Sequence, residues 1–122
     1  MIDTNVVIGH LDSVLPEKGL EFMDDLPTIM LSVVTRIELL SWRSATESQL
    51  TVLESYISDA KVFDLSEAII KKTIYIRKEH HIKLPDAIIA ATALVHGLIL
   101  LTRNTSDFNR IVGLEIVNPW EI

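Results

Sequence analysis

The stretch Leu84-Pro85-Asp86-Ala87-Ile88-Ile89-Ala90-Ala91-Thr92-Ala93 places one carboxylate at the head of an otherwise apolar helix. Pro85 suits the first helical position, where a missing N–H costs nothing, so Asp86 falls in the first turn. At helical spacing Asp86 shares a stripe with Ile89, Ala90 and Ala93, and its side chain is expected to face packing. Burial of an unpartnered carboxylate is costly, and a chain that keeps one there usually supplies a base, N–H donors or a metal ion. The helix is predicted to run from Pro85 to His96, with Gly97 as its natural C-terminal residue. It feeds Leu98-Ile99-Leu100-Leu101, a continuous apolar run of the kind buried on both faces of a parallel sheet.

Upstream of this unit, Ser66 is positioned to cap a long helix through Lys78, with Ile69, Ile70, Ile74 and Tyr75 inward and Lys71, Lys72, Arg77 and Lys78 outward. Lys61 to Asp64 reads as a strand, and Thr46 to Ser58 as a helix on Leu50, Leu53 and Ile57. Thr28 to Leu31 is a short apolar strand, and Ser32 can cap a helix from Val33 to Trp42. Pro16 to Asp25 reads as an amphipathic helix with Leu20, Phe22 and Met23 inward, and Val6 to Leu15 as a short helix or loop. Ile2 opens a very short extended piece ending at Asp3-Thr4-Asn5. Downstream, Thr102 to Phe108 is a polar turn and short helix, and Leu114 to Val117 a last strand. Strands alternating with helices predict a parallel α/β sandwich, in which ligands bind beyond the carboxyl ends of the strands.

At 122 residues the chain is sized for one domain, without repeat or linker, and buries roughly two-thirds of its unfolded surface. It has no cysteine, which removes disulfides and thiolate zinc sites and agrees with a reducing cytoplasm. No signal peptide is expected, since Asp3 comes almost at once. The longest apolar run, Ala87 to Val95, is interrupted by Thr92 and is too short to span a membrane. A soluble, cytoplasmic protein is therefore expected. The net charge of −6 argues against a broad nucleic-acid-binding surface, unless several acids gather at one site and a cation neutralises them.

Four acids fall just after strand ends or in the helices that follow: Asp3, Glu38, Asp86 and Asp107. Two unit charges 4 Å apart repel by about 4 kcal/mol at an effective dielectric of ~20. A divalent cation removes that penalty, and oxygen-only ligation suits Mg²⁺ or Mn²⁺. Blander readings stand beside this one. Asp3 could be a turn residue, Glu38 an exposed helix glutamate, Asp86 a first-turn acid favoured by the helix dipole, and Asp107 a surface ion-pair partner of Arg103 or Arg110. The histidines lack zinc-ligand spacing and read as surface residues, Trp42 and Trp120 as packing residues, and Lys71-Lys72 and Arg77-Lys78 as a solvated helix face rather than an RNA track.

The segments Ile2-Asp3-Thr4-Asn5, Ser32-Val33-Val34-Thr35-Arg36-Ile37-Glu38-Leu39, Leu84 to Ala93, and Leu101-Thr102-Arg103-Asn104-Thr105-Ser106-Asp107-Phe108 together resemble the PIN-domain family, most closely VapC-like toxins of type II toxin–antitoxin pairs. The resemblance implies a single PIN-like domain over residues 1–122: a three-layer α/β/α sandwich around a central, mainly parallel sheet of four to five strands. It implies a metal-dependent endoribonuclease that hydrolyses RNA phosphodiester bonds with water activated by Mg²⁺ or Mn²⁺. Asp3, Glu38 and Asp86 would hold the ion and Asp107 would assist. Thr4, Asn5, Thr102 and Asn104 would orient those ligands. It further implies a homodimer and a VapB-like antitoxin.

One departure is the start at Met1-Ile2, where family members carry several apolar residues ahead of the first Asp, so the first strand reads as truncated. Alternatives are a PIN-domain nuclease of RNA processing without an antitoxin and a catalytically degenerate PIN-like interaction module. A phosphoacceptor receiver domain also clusters acids at strand ends, but expects a lysine where this chain offers Arg103.

Overall fold

Short apolar runs that end in helix-capping residues dictate the architecture, seen in a computed structural model describing all residues from 1 to 122. The elements are α1 (Thr4–Leu11), α2 (Glu17–Asp24), β1 (Met30–Ser32), α3 (Val33–Leu40), α4 (Glu47–Asp59), β2 (Lys61–Phe63), α5 (Glu67–Glu79), α6 (Leu84–His96), β3 (Leu100–Leu101), α7 (Thr105–Phe108) and β4 (Ile116–Val117). Ser32 and Ser66 each accept a backbone N–H at the start of the helix they precede, and Thr46 forms a reciprocal capping box with Gln49. Gly97 closes α6 in the left-handed conformation at φ 64°, which glycine adopts without steric cost.

The strands pair in parallel, β1 with β2 (Leu31 opposite Val62) and β3 with β4 (Leu100 opposite Ile116). Residues 1–3 lie between the two pairs. The Ile2 N–H donates to the Met30 carbonyl at 2.9 Å, the Asp3 N–H to the Leu101 carbonyl at 2.9 Å, and the Leu101 N–H to the Met1 carbonyl at 2.8 Å. Ile2 and Leu101 form an isolated parallel bridge. Regular pairing thus gives two two-stranded sheets linked by residues 1–3, where one sheet of four to five strands was expected. The pairing is short because Asp3 and Ser32 each end an extended piece and cap the next helix.

Successive strand residues point to opposite faces, and the core divides accordingly. Met1 and Leu100 join Ile69, Ile76, Phe108 and the α6 alanines on one side. Ile2 and Leu101 join Val6, Val7, Met23, Leu39, Leu53 and Ile57 on the other. Helices therefore cover both faces, in three α/β/α layers. Ala87, Ala90, Ala91 and Ala93 are all fully buried, and α6 packs on α5 more extensively than any other two elements pack together.

Several inward faces differ from the sequence reading. On α5 the buried stripe is Ile69, Thr73 and Ile76, while Ile74 and Tyr75 are 52% and 59% exposed. Thr73 can be buried because its hydroxyl donates to the Ile69 carbonyl at 2.7 Å, leaving no polar atom unsatisfied. Phe22 and Trp42 face outward as well. His10 is covered rather than superficial: its ring nitrogens meet the Tyr56 hydroxyl at 3.1 Å and Asp24 at 2.9 Å.

Candidate active site

Asp3 closes the first extended segment and caps α1. Its Oδ1 accepts the Thr4 N–H at 2.8 Å, and its Oδ2 accepts the Thr102 hydroxyl at 2.8 Å and the Asn5 amide at 3.3 Å. A carboxylate has about four acceptor sites, so these three donors leave one free, on Oδ1. Asp3 is only 5% exposed. Burial raises its pKa above the ordinary carboxylate value, against the opposing pull of its three donors, and Asp107 adds to the rise.

Glu38 lies on the exposed side of α3, where its Oε1 accepts the Thr4 hydroxyl at 2.7 Å. The same hydroxyl stands 3.4 Å from the buried hydroxyl of Thr35. Thr4 therefore ties the first turn of α1, whose start is fixed by Asp3, to the acid on α3.

Asp86 is half-buried in the first turn of α6. Its pKa is pushed up to about 6, by burial first and then by Asp3, Asp107 and Glu38 in that order, with Lys83 opposing. The structure thus gathers all four predicted acids into one electrostatic neighbourhood. Asp107 is exposed on α7. It pairs with neither Arg103 nor Arg110, since the one ion pair in the structure joins His10 to Asp24.

The polar residues predicted around the acids divide by role. Thr4, Asn5 and Thr102 touch them directly. Asn104 contributes its backbone: its N–H donates to the Thr102 hydroxyl at 3.0 Å, steering that hydroxyl's proton toward Asp3. Asn5 also accepts the Arg103 N–H at 3.3 Å through Oδ1. Two contributors escaped the sequence reading. Thr35 precedes Glu38 by one helical turn, a spacing that could have revealed it. Lys83 acts on Asp86 from the residue that precedes α6. Beside Thr4 and Glu38 opens a groove of about 700 Å³ whose apolar lining includes Ile8, Leu11, Trp42 and Val52.

The donor set is all oxygen, which fits a hard cation such as Mg²⁺ or Mn²⁺, and Asp3, Asp107 and Glu38 each add to the rise that burial imposes on the Asp86 pKa. No three acidic or imidazole side chains stand already spaced as a closed ligand set.

A sequence model of the PIN domain matches residues 1–114. Among curated proteins, the chain is 30% identical over 122 residues to the tRNA(fMet)-specific endonuclease VapC of Shigella flexneri, covering 93% of this chain and 92% of that one. Three further curated relatives are matched over only 25%, 58% and 28% of their lengths. Among solved structures, a toxin–antitoxin complex from Klebsiella pneumoniae is similar at TM-score 0.80 and 34% identity, over 99% of this chain and 98% of the other. DNA-bound VapBC from Salmonella typhimurium is similar at TM-score 0.83 and 30% identity, over 98% and 96%.

Proposed function

The chain belongs to the PIN-domain family, and from that premise we propose that it is the ribonuclease toxin of a VapBC-type toxin–antitoxin pair, acting in the cytoplasm on RNA phosphodiester bonds. The carrying observation is Asp86 at the head of α6, its carboxyl held up near 6 by burial and by Asp3, Asp107 and Glu38 together. Such crowding of acids fits a site completed by a divalent cation. The relatives named VapC support the nuclease assignment, and the neighbouring toxin–antitoxin complexes support a VapB-like antitoxin. No helix is long and apolar enough to cross a membrane.

In this reading Asp3, Glu38 and Asp86 would hold Mg²⁺ or Mn²⁺, and Asp3 keeps one acceptor site free of protein donors. Asp107 assists from α7. When bound, the ion activates water and offsets charge on the phosphate. Thr102, with the Asn104 N–H behind it, and Asn5 keep Asp3 oriented, and Thr4 holds Glu38. We further read residues 1–122 as one PIN-like domain, active as a homodimer. Its two strand pairs and residues 1–3 count as one five-stranded sheet in the order β2, β1, residues 1–3, β3, β4.

The test compares RNA cleavage by the wild type and by Glu38→Gln and Asp86→Asn, each with Mn²⁺ and with EDTA. Cleavage by the wild type alone, abolished by EDTA, is expected; equal cleavage in all samples would falsify the metal mechanism. The lack of three carboxylates already at ligand spacing favours a second reading, a catalytically degenerate PIN-like interaction module. Calorimetry of the wild type with millimolar Mn²⁺ separates the two, since the degenerate module binds none.

A further inference from the structure

Five of the chain's 11 Lys and Arg residues fall between positions 71 and 83, where Glu79 is the one acid. In a chain of net charge −6 this is a local reversal of sign. None of the five is ion-paired, because the structure's one ion pair lies elsewhere, between His10 and Asp24. Arg77, Lys78, His80 and His81 line a groove of about 460 Å³ that follows the second half of α5 and ends at Leu84, the first residue of α6. Asp86 is two residues further on. Lys83 lies between Ile82 and Leu84, both of which line the groove. Helix α6 packs both on α3, which carries Glu38, and on α5, which carries the cations.

The acid site by itself repels a polyanion. A bound cation compensates the phosphate under attack, but not the phosphates on either side of it, which need cations of their own. We propose that the groove along α5 binds the RNA backbone next to the scissile bond, with Arg77 and Lys78 each contacting a phosphate. This rests on the ribonuclease reading above. The guanidinium of Arg77 offers a planar pair of donors to one phosphate and the Lys78 ammonium a point charge to the next. Lys71, seven residues before Lys78 and on the same side of α5, extends the cationic track further back, whereas Lys72 lies over the Tyr75 ring on another face. The strand would thus cross the N-terminus of α6, passing from cations to carboxylates.

The test is fluorescence anisotropy of a labelled single-stranded RNA bound to the full chain carrying Asp86→Asn, which prevents cleavage, with and without Arg77→Ala and Lys78→Ala added. Each phosphate contact on a single strand contributes about 0.7 to the slope of log affinity against log salt. Removing two should make the slope shallower by about 1.4 and weaken binding roughly 10- to 25-fold at 0.1 M salt. Both side chains are exposed, so the thermal midpoint should hold. The swap Arg77→Lys with Lys78→Arg should keep most of the affinity. Unchanged affinity and slope in the alanine pair, with wild-type protein cleaving the same RNA, would overturn the groove and leave the ribonuclease reading standing. Wild-type protein that neither binds nor cleaves RNA would overturn both. A polyglutamate peptide bound with this dependence on Arg77 and Lys78, in place of RNA, would also overturn the groove.

Discussion

Replacing Asp86 by asparagine should stabilise the cation-free protein at neutral pH while removing its activity. The carboxyl titrates near 6 in the folded chain, against 3.8 ordinarily. At ~1.4 kcal/mol per pH unit this sets a ceiling of ~3 kcal/mol of destabilisation when the group is ionised. Asp86 is only half-buried, and solvent screening reduces the ceiling to about half, ~1.5 kcal/mol. A first-turn carboxylate also gains ~0.5 kcal/mol from the helix dipole, which the amide gives up. The net gain for Asp86→Asn is ~1 kcal/mol. For 122 residues, at ~2.1 cal/mol/K of unfolding entropy each, that raises the melting midpoint by about 4 °C.

The sign with pH follows from the raised folded pKa. Between about 4 and 6 the folded state binds more protons than the unfolded state, so the wild type loses stability as pH rises through that window, and the loss is complete above it. Calorimetric melts with EDTA should show the 4 °C difference at pH 7.5 and almost none at pH 4. Excess Mn²⁺ should raise the wild-type midpoint more than that of the variant and narrow or reverse the gap. A lower midpoint for Asp86→Asn at pH 7.5 in EDTA would refute the reasoning, because the carboxylate would then be a satisfied structural group.

Thr102→Val removes a hydroxyl donor from the buried Asp3 and should cost about 1.5–3 kcal/mol in urea denaturation at pH 7.5. The cost should shrink at acid pH, where Asp3 is protonated in folded and unfolded chains alike. Thr4→Val frees Glu38 from its 2.7 Å contact and should lower RNA cleavage by about 10- to 100-fold; an unaltered rate would show that Glu38 needs no such support. Gly19→Ala would drive a Cβ into the Pro119 carbonyl oxygen, a backbone clash that should lower stability by about 1–3 kcal/mol, measured as an earlier urea midpoint.

Much of the candidate site's geometry was legible because its parts are local. Pro85 and Asp86 announce a helix start, Ser32 announces another, and the four acids sit at fixed offsets from short apolar runs. The inward faces of α2 and α5 were harder to place. Periodicity restricts a buried stripe to one side of a helix, but a stripe of Ile69, Thr73 and Ile76 competes with one of Ile70, Ile74 and Tyr75. A threonine that back-bonds its own helix can pass for either a polar or a buried residue. The cation groove was read as a solvated face because residues on α5 and in the loop after it converge only in the folded chain.

Residue types and their order fix the chemistry available: oxygen ligands without thiolates, capped helices, and apolar runs suited to a parallel sheet. Tertiary structure decided which groups share a field. Asp3 and Thr102 are 99 positions apart in the chain yet stand 2.8 Å apart, because parallel pairing sets Asp3 beside the end of β3. Asp86 is raised by burial and then by three acids from three other segments. Charge interactions depend on distance through a poorly screening interior, and chain order does not specify that distance.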